Sequence, residues 1–186
     1  MSILALRALA VCALVGGTVA PASAASISFG PASDSSAGPT IAFDGIVVPK
    51  TIVGDAIFTF TVQGDLNGSS EFVAIDIDGF SLGLVFNEDP SDDLFDFAGD
   101  EGGNFSFQTG SATILNADFA GLIGDGLLDL TFDFSPDVNN AGSIRSLEGS
   151  IAFTEGNLNA VPLPASLPLF ALGLGGLLAL RRRTNT

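Results

Sequence analysis

The residues best equipped for chemistry in this chain are carboxylates. Glu88, Asp89, Asp92, Asp93, Asp96, Asp100 and Glu101 crowd into one short stretch, with Pro90 and Ser91 among them as turn formers. Calcium takes about six to eight hard oxygen ligands, and a flexible loop of carboxylates supplies them. Extracellular modules fill even weak calcium sites. Glu88, Asp89, Asp92, Asp93 and Asp96 are therefore a candidate Ca²⁺ site. The plain alternative is a solvated acidic loop that aids solubility. The spacing does not follow the D-x-D-x-D-G-x5-E run of an EF-hand.

Two smaller carboxylate pairs fall at strand spacing. Asp76 and Asp78 share one face of a candidate strand, and Asp129 and Asp133 share another with Thr131 between them. Either pair is as readily the polar face of a sheet as a cation site. Hydrolysis of a glycosidic bond also needs two carboxylates, about 5–10 Å apart. With 21 acidic residues such a pair arises by chance. The chain has no His, Trp or Tyr, and its one cysteine, Cys12, lies near the N-terminus. That composition excludes Ser-His-Asp and Cys-His nucleophile systems and His- or Cys-ligated zinc. It also removes the Trp and Tyr platforms on which sugars stack. No catalytic residue is expected.

The elements that must position these carboxylates read as β-strands. Apolar residues alternate with polar ones, and Gly, Asn, Asp and Ser separate the runs. Ile41–Val48 is apolar and ends at Pro49. In 57–63, Phe58, Phe60 and Val62 face one way and Thr59 and Thr61 the other. Asp65–Ser70 (DLNGSS) reads as a turn whose Asn67-Gly68 suits a tight hairpin. In 71–78, Val73, Ile75 and Ile77 point inward. Asp78-Gly79 is a second tight turn, leading into 80–86. A short strand is expected over 104–108 through Phe105 and Phe107. Leu128, Leu130, Phe132 and Phe134 line the inner face of 127–134, and Leu147, Ile151 and Phe153 that of 144–153. The spacing of residues 116–123 predicts a short helix, with Asn116 as its cap and Phe119, Leu122 and Ile123 on one side; Gly124-Asp125-Gly126 stops it. Seven or eight short strands of this kind predict an all-β fold, an antiparallel two-sheet sandwich of jelly-roll type with one short helix. A barrel is the second choice. A solenoid is the third, because no fixed-period repeat is present.

Both ends read as targeting segments. Residues 1–24 carry Arg7, an apolar run over Ala8–Val15 and the small-residue end Ala22-Ser23-Ala24. Signal-peptide cleavage is expected between Ala24 and Ala25. A retained membrane helix is the alternative, against which the shortness of the run argues. At the other end Leu163–Leu180 is uncharged and is followed by Arg181, Arg182 and Arg183. Eighteen helical residues span about 27 Å, near the roughly 30 Å bilayer core, although Pro164 and Pro168 shorten the usable length. The arginine cluster favours a cytoplasmic end, which leaves the preceding domain outside. Residues 25–160 lie between. They hold Lys50 and Arg145 against all 21 acidic residues, a formal charge of −19. Such a body repels nucleic acid and anionic membranes. It is rich enough in Phe, Ile, Leu and Val to bury a core rather than stay disordered.

The tail carries a family signature. Val161-Pro162-Leu163-Pro164-Ala165, the glycine-interrupted apolar run and the terminal arginines follow one another over residues 161–183. This order resembles the PEP-CTERM type of sorting signal of Gram-negative bacteria, in its VPLPA variant, where Leu163 stands in place of an acidic residue. An ordinary membrane anchor with a proline-rich stalk is the alternative. The resemblance implies processing by an exosortase, a membrane-embedded transpeptidase. It implies retention in the inner membrane until cleavage near the motif, and association with exopolysaccharide and biofilm matrix. Two prolines keep the backbone extended and outside the helix, where a protease reaches it. The expected function is that of an exported structural or adhesive protein of the envelope or matrix. The alternatives are a calcium-dependent carbohydrate-binding module and, from another class, a carboxylate glycosidase.

Overall fold

The computed structural model describes residues 23–97, 103–140 and 142–156. The polypeptide there is mostly strand: β1 (Ser23–Asp34), β2 (Thr40–Val47), β3 (Ala56–Asp65), β4 (Val73–Ile77), β5 (Phe80–Val85), β6 (Asn104–Ile114), β7 (Leu127–Phe134) and β8 (Ile144–Glu155), with one helix, α1 (Asn116–Leu122). The strands form two four-stranded antiparallel sheets, ordered β1-β8-β3-β6 (sheet A) and β2-β7-β4-β5 (sheet B). Every connection between consecutive strands except β4–β5 passes from one sheet to the other. The expectation of an antiparallel two-sheet sandwich with one short helix holds for these residues. Among them no helix is long and apolar enough to cross a membrane. The candidate span Leu163–Leu180, Arg181–Arg183, the motif Val161–Ala165 and Ala22 lie outside the described residues.

Alternation along the strands explains the layers. Side chains on successive strand residues point to opposite faces, so an apolar set at every second position must be buried together. Phe58, Phe60 and Val62 of β3, Val73, Ile75 and Ile77 of β4, and Leu128, Leu130 and Phe132 of β7 are all fully buried or nearly so. Phenylalanine joins the two sheets. The Phe132 ring lies 5.8, 6.1, 6.3 and 5.7 Å from those of Phe29, Phe43, Phe58 and Phe60. Each buried ring contributes about 1.5–3 kcal/mol by transfer from water, and contacts between rings add to that. No disulfide is needed at this size.

Four local expectations are corrected. First, β1 was not read as a strand, although Ile27 and Phe29 alternate with Ser26 and Ser28; it runs through Ala24 and Ala25. Ser23 and Ala24 pair with Glu155 and Thr154, so a chain cut after Ala24 would begin β1 opposite Phe153. Second, Asn67-Gly68 does not close a hairpin. β3 and β4 belong to different sheets, and residues 66–72 carry the chain across. The turn is held by Glu71, whose Oε2 accepts the Asn67 N–H at 2.6 Å. The true tight hairpin is at Asp78-Gly79, where both φ angles are positive, 50° and 84°. Third, β6 extends to Ile114, and its inward residues at that end are Gly110, Ala112 and Ile114 rather than Phe105 and Phe107; Phe107 is 65 % exposed. Fourth, Asn116 is the first residue of α1 and not its cap. Its N–H is accepted by Asp55 Oδ1 at 2.9 Å, a cap supplied from far along the chain. Phe119 and Ile123 are buried as expected, and Leu122 is only partly so.

Candidate functional site

The acidic stretch is a strap between the two sheets. It leaves β5 on sheet B and reaches β6 on sheet A. On the way it adds backbone bonds to both edges. Leu84 N–H donates to the Asp92 carbonyl at 3.3 Å and Leu94 N–H to the Leu82 carbonyl at 3.0 Å, against β5. Asp96 N–H then donates to the Ser111 carbonyl at 2.9 Å, against β6. Phe95 pairs with Ala112 and is buried; Phe97 packs beside it, the rings 5.6 Å apart. Both reach the Phe60 ring, at 5.1 and 5.9 Å. The strap therefore fills the core above a part of β6 that has almost no side chains of its own.

Two glycines make room for it. A Cβ on Gly83, whose φ is +100°, would overlap the Asp92 carbonyl oxygen. A Cβ on Gly110 would overlap the Phe97 ring. An unprotected edge strand is a template for pairing with other chains, and here the strap covers both edges on one side of the sandwich.

Three strap carboxylates accept hydrogen bonds from nearby strap residues. Asp89 Oδ1 accepts the Ser91 hydroxyl at 2.6 Å and the Ser91 N–H at 3.1 Å. Those bonds, the hydroxyl first, hold its carboxyl below the usual carboxylate range. Asp93 Oδ1 accepts the Phe95 N–H at 2.8 Å, and Asp92 Oδ2 accepts Asn87 Nδ2 at 2.7 Å. Asp96 and Glu88 are exposed, Glu88 at a positive φ of 65°. Asp100 and Glu101 lie outside the described residues. Among the described residues no three carboxylates gather in a geometry that would hold a metal ion. Of the five carboxylates expected as calcium ligands, Asp89, Asp92 and Asp93 accept hydrogen bonds that shape the strap, and Glu88 and Asp96 stand exposed.

The outer faces of the two sheets differ in charge. On sheet B, Asp133 accepts the Thr40 hydroxyl at 2.7 Å, and Asp129 Oδ1 accepts the Gly45 N–H at 2.6 Å across the bulge in β2. Asp78 and Asp129 are tied to each other. Asp78 N–H donates to the Asp129 carbonyl at 3.1 Å, and Asp129 N–H donates to Asp78 Oδ1 at 3.0 Å. Partial burial raises the Asp78 pKa above the carboxylate norm, and the charges of Asp129, Asp125 and Asp76 push the same way; the Asp129 N–H opposes them. The Asp76–Asp78 and Asp129–Asp133 pairs thus sit on one surface as the strand spacing implied. They behave there as a crowded polar face.

Sheet A shows hydroxyls instead. Ser28, Ser150, Thr59 and Ser111 stand side by side in one row across all four strands. The next row holds Glu148, Thr61 and Thr109. Thr61 and Thr109 share a hydrogen bond of 2.7 Å, and Thr59 and Ser111 one of 3.3 Å. Sequence reading placed Thr59 and Thr61 on the outer face. It missed the row, because register across strands is not written in any one of them.

No family model, curated protein or solved structure matches this chain. The site's chemistry therefore rests on its own residues. Among the described residues, Ser33, Asp34, Ser35, Gly142, Ile144 and Arg145 form a shallow surface depression, and another lies between β5 and the strap at Ser81–Gly83 and Ser91–Leu94. One further carboxylate was not singled out from sequence. Asp65 is fully buried, and its oxygens accept the Asn140 N–H at 2.9 Å and Asn67 Nδ2 at 3.2 Å. It fastens the 65–71 crossing to the loop before β8.

Proposed function

We propose that this chain is an exported structural or adhesive protein of a Gram-negative envelope or extracellular matrix, sorted there by its tail. The observation that carries this reading is the order of parts at the C-terminus. The Val161-Pro162-Leu163-Pro164-Ala165 motif precedes an apolar segment of near-bilayer length, and Arg181–Arg183 follow it. In this reading signal peptidase cuts between Ala24 and Ala25. The tail then holds the body outside the inner membrane, and an exosortase-type transpeptidase cuts near the motif. Exopolysaccharide is the matrix partner, and nucleic acid is excluded by the −19 charge of the body. No catalytic role is proposed.

The body suits that destination. Strand orders β1-β8-β3-β6 and β2-β7-β4-β5, with connections that switch sheets, support a jelly-roll. Apolar burial holds it without a disulfide, and the strap covers one pair of sheet edges. Deletion of Val161–Thr186 tests the sorting claim. The truncated protein is expected in the periplasm or medium and absent from the envelope. Retention of the truncated chain where the full chain resides would contradict the proposal.

A further inference from the structure

We infer that Asn67 is a self-modification site: in the folded protein its side-chain amide is converted to a carboxylate through attack by the Gly68 backbone nitrogen. The inference is read from the folded body and does not depend on the sorting proposal.

The sequence offers this chemistry in four places. Asn-Gly occurs once, at Asn67-Gly68, and Asp-Gly three times, at Asp44-Gly45, Asp78-Gly79 and Asp125-Gly126. In each, the glycine nitrogen can close a small ring onto the side-chain carbonyl carbon before it, and glycine has no Cβ to hinder the approach. The fold separates the four. Gly45 N–H donates to Asp129 Oδ1 and Gly79 N–H to Asp76 Oδ1, both at 2.6 Å, and Gly126 N–H donates to the Ile123 carbonyl at 3.0 Å. These three nitrogens are also fixed by positive glycine φ angles of 66°, 84° and 89°. The Gly68 N–H has no acceptor among the described residues. Electronic character favours the same place, because an amide carbon is a better electrophile than that of an ionised carboxylate.

The surroundings leave the reaction open. Asn67 is exposed, so water reaches it. Its own N–H is held by Glu71 Oε2 at 2.6 Å, and the Gly68 carbonyl accepts the Glu71 N–H at 2.8 Å. The turn is thus braced on both sides of the reacting pair while the nucleophile stays unbonded. A base from solvent takes the Gly68 amide proton, and the nitrogen forms a bond to Asn67 Cγ. The Cγ–Nδ2 bond breaks, and Nδ2 leaves as ammonia after regaining a proton from solvent. Water then adds to either carbonyl carbon of the cyclic imide and opens it. The Gly68 N–H is restored, and aspartate or isoaspartate remains.

The product changes a structural tie. Asn67 Nδ2 donates to Asp65 Oδ1 at 3.2 Å, and Asp65 is the buried carboxylate that also accepts the Asn140 N–H. Conversion replaces that donor with a second carboxylate facing the first, and like charges so placed repel. The isoaspartate product also lengthens the backbone by one methylene between Asp65 and Glu71. The fastening of the 65–71 crossing to the loop before β8 therefore loosens as the protein ages.

Incubation of the purified full chain near neutral pH, in the detergent that extracts it if one is needed, tests the inference. Peptide mass mapping and isoaspartate labelling follow each site, and each is compared with itself in the chain unfolded by urea. Asn67 is expected to convert in the folded chain within about tenfold of its rate in urea. Asp44, Asp78 and Asp125 are expected to be protected by more than that. Gly68→Ala leaves Asn67 in place, and its Cβ meets Glu71 Oε2 only at an ordinary 3.9 Å. It should slow conversion at least about tenfold. Asn67→Asp mimics one product and should lower the urea midpoint of freshly made protein. An Asn67 that stays intact in the folded chain while the unfolded chain converts would overturn the inference. So would equal protection at all four sites, or conversion unaffected by Gly68→Ala. An unchanged midpoint for Asn67→Asp would overturn the loosening.

Discussion

The strap and the outer face of sheet B are both rich in aspartate, yet they use it in opposite ways. In the strap each carboxylate that is bonded faces N–H or O–H donors two to five residues away: Asp89 with Ser91, Asp93 with Phe95, Asp92 with Asn87. On sheet B, Asp76 accepts the Gly79 N–H at 2.6 Å, but the donors to Asp133, Asp129 and Asp78 come from neighbouring strands, and partial burial among like charges pushes Asp78 toward its protonated form. Acidic density alone therefore says little. What separates them is where the donors come from: the bonded strap acids close local turns, whereas the sheet B acids, Asp76 apart, tie neighbouring strands together.

This contrast can be broken at several points. The largest effect is expected where the strap crosses β5. Gly83→Ala must displace the strap backbone and holds alanine at a φ reserved for glycine, costing about 3 kcal/mol or more. Urea denaturation of the full chain measures it, and an unchanged midpoint would mean that the strap does not seat there. Asp93→Ala removes the acceptor of the partly buried Phe95 N–H and should cost about 1–2 kcal/mol by the same measurement. Asp89→Ala, at an exposed turn, should lower the midpoint less than Asp93→Ala does.

The smallest effects carry opposite signs with pH. The folded Asp89 carboxyl titrates below its unfolded value. Its contribution is present above about pH 4 and is lost as pH falls through the folded value. The gap between wild type and Asp89→Ala should close on acidification. Asp78 titrates above its unfolded value. Its contribution is present below about pH 4 and is lost as pH rises through the folded value. Asp78→Asn should therefore stabilise the protein near neutral pH by roughly a few tenths of a kcal/mol. Asparagine tolerates the positive φ and still accepts the Asp129 N–H. Melting curves across the acid range test both, and parallel pH profiles for the two variants would contradict the distinction drawn between their surroundings.

Much of the body was legible in the sequence because its strands carry their own alternation. Phe58, Phe60 and Val62, and Leu128 through Phe134, announce an inner face without help from neighbours. β6 was read too short for the opposite reason. Its inner face holds Gly110 and Ala112, and the apolar atoms above them arrive from Phe95 and Phe97 of the strap. β1 was hidden because residues 1–24 read as a targeting segment, despite the alternation of Ile27 and Phe29 with serines. Asn67-Gly68 has the chemistry of a hairpin turn, but partner choice for β4 is made by β5 and β7, far from that turn. The calcium reading counted carboxylates, and their spacing does not tell that Asp89, Asp92 and Asp93 accept from Ser91, Asn87 and Phe95. The hydroxyl row on sheet A depends on register among four separated segments.

The claim on which the account most depends is that the two ends are addresses and the middle is the mature protein. Intact mass of the chain isolated from its native cells tests it most directly. The account predicts loss of residues 1–24 and a C-terminus at or near Val161–Ala165. A mass equal to the uncut 186-residue chain would contradict it.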